Sequence, residues 1–248
     1  MTRSMPTGAS TPTDAASMPK PMPQRKGRLM IDAPTRAFHW LFALSFAGAW
    51  LTAESERWRG VHVTLGYLFG ALLLYRLLDG LLGPRQVRLA LIGRRVAGLG
   101  DWFRAAAQGN LDLPRLTALG VGLSVLLLLV VAAPLVLSGY AAHVEWLGLE
   151  DAMEELHEFF ANAAMALVLA HLALLVLLSV LRRKNLAMPM VTGRTEGAGP
   201  DLAKFNRSWL AVLVVLASVG FLGWQAYVDL PAWNSAQPAA ASQRENDD

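Results

Sequence analysis

Five histidines stand out in a chain otherwise poor in chemistry: His39, His62, His143, His157 and His171. Imidazole binds metals and moves protons near neutral pH, and the first of these needs only the neutral ring. Four of the five fall in or at the edge of long apolar stretches, where an ionisable side chain is costly and tends to be functional. One such histidine is often a hydrogen-bonded packing residue, but four call for a joint explanation. The chain has no cysteine, which removes disulfides, thiolate zinc sites, iron–sulfur clusters, covalent c-type haem attachment and cysteine nucleophiles together.

The elements that must position these rings follow from composition. Of 248 residues, 54% are hydrophobic and 17% charged, with a mean hydropathy of +0.37. A water-soluble domain carries about 25% charged residues, so the sequence reads as an integral membrane protein. Five apolar segments, 37–53, 61–82, 116–140, 159–181 and 208–228, have the length a helix needs to cross about 30 Å of hydrocarbon. The predicted fold is therefore all-α.

Basic residues set the expected orientation. The tail to Arg36, the stretch 84–115 and the stretch 182–207 hold six Lys or Arg each and alternate on one side of five spans. The other side has Arg57, Arg59 and Arg244, and its 140–157 loop has Glu145, Glu150, Asp151, Glu154 and Glu155 with no Lys or Arg. This predicts a cytoplasmic N-terminus and a periplasmic C-terminus. Residues 1–33 have the Pro, Ser and Thr content of a disordered tail and no signal-peptide core. Segment 86–108 alternates Arg with apolar residues, as an amphipathic helix on the inner leaflet would. An interfacial helix is expected over 145–160.

Depth then pairs the histidines. His157 and His171 are 14 residues apart on one predicted helix, which is about 21 Å of rise and nearly four full turns, so both rings share a face at two levels. His39 lies about 15 residues below the outer end of the first span, roughly 22 Å deep and level with His171. His62 opens the second span at the outer surface, level with His157. Two couples result, His39 with His171 and His62 with His157. Zinc wants four ligands where each level supplies two. A haem iron needs two axial ligands and buries its macrocycle between helices, which Gly48, Gly66 and Gly70 would let approach closely. Without cysteine the haem would be non-covalent and b-type. With both axial positions filled, electron transfer is favoured over oxygen activation.

Arg76 lies 14 residues after His62, at the level of the inner couple, and reads either as a partner for a haem propionate or as an arginine reaching the inner interface. Asp79 could pair with Arg76 or stay solvated. His143 reads as a surface histidine outside any couple. Glu158 and Asn162, near His157, could orient its imidazole or stay solvated. Seven of the eight tryptophans (Trp40, Trp50, Trp58, Trp146, Trp209, Trp224 and Trp233) lie mostly near span ends, as interfacial belt residues do.

The stretch Pro34-Thr35-Arg36-Ala37-Phe38-His39-Trp40 resembles the opening of the bacterial cytochrome b561 and nickel-hydrogenase cytochrome b family. His62-Val63-Thr64-Leu65-Gly66-Tyr67, Tyr75-Arg76-Leu77-Leu78, Leu156-His157-Glu158, His171 followed by Arg182-Arg183-Lys184-Asn185-Leu186, and Met190-Val191-Thr192-Gly193 are similar to it as well. The resemblance covers about 30–195. It implies a four-helix, diheme b-type cytochrome of the bacterial inner membrane that passes electrons between a redox partner and quinone. Some members serve hydrogenases and one branch oxidises superoxide. By matched motif, His39, His62, His157 and His171 would be the axial ligands. Asp79 departs from the pattern, since many relatives have tryptophan there.

The expected organisation is a cytoplasmic tail (1–33), a diheme four-helix core (34–195), and a linker, fifth transmembrane helix and periplasmic tail (196–248), the last being an anchor or a docking element. The expected function is electron transfer as the cytochrome subunit of an oxidoreductase, through two haems b, between a periplasmic protein and membrane quinone. No nucleic acid is implied, and the oligomeric state is open. Two rivals are a superoxide oxidase, disfavoured by the acidic outer face, and a haem-free membrane subunit whose histidines relay protons.

Overall fold

Long runs of Leu, Val and Ala, broken within one helix by Pro134, form helices because a helix satisfies its own backbone in lipid. The computed structural model describes residues 27–84, 88, 97–109, 113–195, 201–203 and 205–246. Most of the N-terminal tail and segment 89–96 of the expected amphipathic stretch lie outside the described residues.

Five long helices dominate: α1 (Ala33–Thr52), α2 (Arg59–Leu82), α4 (Leu113–His143), α5 (Glu150–Arg182) and α7 (Ser208–Asn246). Two short ones, α3 (Leu99–Ala107) and α6 (Met188–Thr192), lie between them. Strands β1 (Arg28–Leu29) and β2 (Arg194–Thr195) pair antiparallel, so the last residues of the predicted tail are ordered against the chain that follows α5. No separate interfacial helix forms over 145–160. A short 3-10 turn at Trp146–Gly148 leads into α5, which continues unbroken to Arg182.

Among the described residues, four helices rather than five are long and apolar enough to cross a membrane: Glu56–Leu82, Pro114–His143, Glu150–Arg182 and Ser208–Val228. Helix α1 is not one of them, because Pro34, Thr35, Arg36 and His39 occupy its first two turns. The segment expected to be a fifth span is thus the last of four. Outward-facing apolar residues such as Leu44 (65% exposed), Val130 (58%), Val176 (65%) and Val219 (59%) mark a surface suited to lipid, not water.

Helices α4 and α5 pack along one another, α1 packs on α2, and α2 also meets α4. Their common core joins Phe69 and Leu73 of α2, Ala132 and Leu135 of α4 and Ala164 of α5. The ring of Phe42 stacks on Phe69 at 4.0 Å. Lipid supplies no hydrophobic drive between helices, so close packing carries the association. A Cβ at Gly48 would come within 2.6 Å of Leu65, and one at Gly70 within 2.9 Å of Val136. Helix α7 lies outside the four, against α1, where Val214, Phe221 and Leu222 cover Phe38, Leu68 and Leu72.

Candidate functional site

His62 stands in the first turn of α2 and His157 in the second turn of α5. The two elements meet so that the ring centroids are 6.1 Å apart with the planes at 90°. Each ring is anchored by a backbone carbonyl that its own helix does not supply. His62 Nδ1–H donates to Ala49 O at 2.8 Å. That carbonyl has no helical N–H partner because α1 ends there and the Ala53 N–H turns back to Trp50 O, and it also accepts from the Thr52 hydroxyl at 3.1 Å. His157 Nδ1–H donates to Leu135 O at 2.9 Å. A carbonyl only accepts, so Nδ1 carries the proton and Nε2 the lone pair in both rings.

Gly139 makes the second bond possible. A Cβ there would come within 2.7 Å of both Cε1 and Nδ1 of His157. The imidazole therefore lies against bare backbone of α4, one turn above the carbonyl it binds.

The inner couple sits on α1 and α5. His39 stands in the second turn of α1 and His171 beyond the middle of α5. His171 Nδ1–H donates to Ser124 Oγ at 2.8 Å, and the Ser124 hydroxyl spends its own proton on Val121 O at 2.9 Å. The same tautomer results, with Nε2 free of the proton. Three of the four rings thus have the orienting contact on Nδ1 that metal-binding histidines use.

The outer spacing suits a metal held from two sides. A first-row metal sits about 2.0–2.1 Å from an imidazole nitrogen, and that nitrogen about 1.1 Å from its ring centroid, so opposed ligands have centroids about 6.2 Å apart. Among the described residues, no group of three or more histidines and carboxylates could hold a metal ion. Two imidazoles per site is the donor set of an axially ligated haem rather than of zinc. A cavity of about 960 Å³, walled by α1, α2, α4 and α5, opens beside the outer couple, at the upper end of the range for cofactor sites.

Glu54, Glu56, Arg59, Glu154 and Glu158 line this cavity with Asn162, so carboxylates outnumber guanidinium four to one. His143, expected as a plain surface residue, is exposed but belongs to the cavity wall, with its ring 6.0 Å from that of Tyr67. Gly66 lines it too, and a Cβ there would meet nothing. Arg76 is half-buried on α2. Asp79 is largely shielded from water. It binds Arg207, Nη1 to Oδ1 at 2.7 Å.

Sequence reasoning missed Ser124, Gly139 and Arg207. For the first two a signal exists: they are 15 residues apart on α4, about 22 Å of rise, matching the 14-residue spacing of the antiparallel histidines on α5.

A helical, multi-pass membrane protein with imidazoles coupled between its helices is the class that fold and site define. The chain belongs to the prokaryotic cytochrome b561 family, whose model matches residues 31–193. Transmembrane electron transfer and b-type haem come with that membership. Searches among curated proteins and among solved structures found no match. Helix α7 and Arg207, the residue before it, lie beyond the matched region.

Proposed function

We propose that this chain conducts electrons across the bacterial inner membrane through two b-type haems, between a periplasmic redox protein and membrane quinone. His62 and His157 hold the outer haem, and His39 and His171 the inner one. Held by two histidines, a b-type haem would supply single-electron exchange there. The observation that carries the reading is the 6.1 Å spacing of His62 and His157 with both Nδ1 atoms already bonded to carbonyls.

The residues of the chain have definite tasks in this reading. The Ala49 and Leu135 carbonyls and the Ser124 hydroxyl fix tautomer and ring direction, and each raises the basicity of the nitrogen opposite. Phe42, Phe69 and Leu135 exclude water from the core below the outer couple. Arg76 offers its guanidinium to a propionate of the inner haem. The two levels are about 21 Å apart along α5, most of the hydrocarbon thickness.

Basic loops on one face put the N-terminus in the cytoplasm and the C-terminus in the periplasm. Helix α1, at 20 residues, is about 30 Å long and crosses as well, which makes five crossings. Residues 1–33 are then the cytoplasmic tail, 34–195 the diheme core, and 196–248 the added helix with its flanks. The carboxylate-rich rim attracts a basic protein donor and repels superoxide, so a carrier is favoured over a superoxide oxidase.

The test is a reduced-minus-oxidised spectrum of the purified protein, with haem counted as its pyridine complex. Two haems b per chain are expected, falling to one in His171→Ala with the outer haem retained. A colourless protein, or a His171→Ala variant that keeps both haems, overturns the assignment.

A further inference from the structure

The first helix of the haem-binding core is capped not by its own residues but by the chain just before α7. Asp32 holds the N-cap position of α1, yet its carboxylate makes no bond to a helix N–H. The Ala33 N–H donates instead to Asn206 Oδ1 at 2.9 Å. The freed Asp32 carboxylate takes Arg207, whose Nη2 and Nε lie 2.6 and 3.0 Å from Oδ2. The same guanidinium reaches back to α2, with Nη1 at 2.7 Å from Asp79 Oδ1 and Nη2 at 3.3 Å from Oδ2. One planar fork thereby ties the start of α1, the last turn of α2 and the start of α7.

The cluster is built rather than incidental. Side-chain exposure is 1% for Asp32, 9% for Asp79 and 15% for Arg207. Arg207 is held at φ +40°, in the left-handed region that residues other than glycine seldom adopt. Hydrogen bonding to Asp79, and then to Asp32, outweighs burial and holds the guanidinium proton more tightly than usual.

We infer that Arg207 is a positioning residue for the inner haem, acting through the register and tilt of α1 on His39. The inference rests on the two-haem reading above. His39 follows Asp32 by seven residues, two helical turns, about 10 Å along α1 and on nearly the same face. Asp79 lies 17 residues from His62, about 25 Å along α2. A disturbance at the cluster therefore reaches the inner ligand first and the outer couple hardly at all. The second carboxylate is Asp79, and Arg207, which joins it to Asp32, lies beyond the matched residues 31–193. The α7 segment thus works as part of the inner site rather than as a detached anchor.

The experiment uses the full chain in detergent, with haem content, midpoint potentials and low-spin EPR signals resolved for each haem. Arg207→Lys keeps the charge but cannot fork between two carboxylates. It is expected to shift the inner haem's potential and EPR signal and leave the outer haem's unchanged. Arg207→Gln combined with Asp79→Asn removes one stranded charge. Its inner haem is expected to bind about tenfold more weakly, the lower end of the loss seen when ligand-orienting partners are removed. Inner signals identical to wild type in both variants overturn the inference, as does equal loss of both haems. A wild-type protein without haem instead overturns the two-haem reading, and this inference with it.

Discussion

Gly139 lies flush against His157: a single added carbon would come within 2.7 Å of two atoms of the imidazole. In the two-haem reading the glycine would thus position a ligand from α4, and nothing smaller exists to replace it. Gly139→Ala is expected to push His157 off Leu135 O and cut outer-haem content at least about tenfold, as loss of an orienting bond does elsewhere. The inner haem stays bound. Spectra and haem counting check this. Helix propensity would favour alanine by about 1 kcal/mol, so a fall in haem cannot be blamed on a weakened helix.

Ser124 makes the corresponding contact at the inner level. Its oxygen accepts the His171 Nδ1–H, which pushes electron density toward the other nitrogen and favours the ferric iron of a bound haem. Ser124→Ala is expected to raise the inner haem's midpoint potential. A net hydrogen bond of about 0.5–1.5 kcal/mol corresponds to about 20–65 mV for one electron. Potentiometric titration against the wild type reads the shift directly, and the outer haem serves as the internal reference. A downward shift, or none, would remove Ser124 from the site.

Much of this was legible in the chain because it depends on local rules. Span length follows from 1.5 Å of rise per residue, and the histidine levels follow from the same number. The resemblance of the His39, His62, His157 and His171 motifs agrees with the matched family. What stayed hidden depends on contacts between distant residues. Arg207 meets Asp32 across 175 positions and Ser124 meets His171 across 47. For Asp79 the sequence offers Arg76 or solvent, and the fold adds Arg207, 128 positions away. Helix α1 is apolar mainly in its second half, and Arg36 and His39 in its first half leave it less apolar than the four helices that length and composition mark as spans.

The perpendicular planes of His62 and His157 carry a spectroscopic consequence. If His62 and His157 held a haem iron with their planes still at right angles, they would act equally on the two metal orbitals they overlap and leave those orbitals nearly degenerate. The outer ferric haem should therefore show the large-g, strongly anisotropic low-spin EPR signal, and not the well-resolved rhombic one of parallel rings. The measurement is a low-temperature spectrum of oxidised protein. His62→Ala should abolish that signal selectively. A rhombic signal assigned to the outer haem would mean that the 90° ring geometry does not survive haem binding.

Orientation can be tested cleanly because the chain has no cysteine of its own. Asp151→Cys places a thiol at the start of α5, at the outer end in the proposed topology, and Lys184→Cys places one just past its inner end. Both positions are exposed. A membrane-impermeant maleimide added to spheroplasts is expected to label Asp151→Cys at once, and Lys184→Cys only after the membrane is opened. The contrast should be large, since charged probes cross lipid slowly. The reverse pattern would invert the protein, move the acidic rim to the cytoplasm and make the donor at that rim a cytoplasmic one. Labelling at both positions in intact spheroplasts would mean that α5 does not cross at all, which would leave His157 and His171 on one side of the membrane and the electron with no path through it.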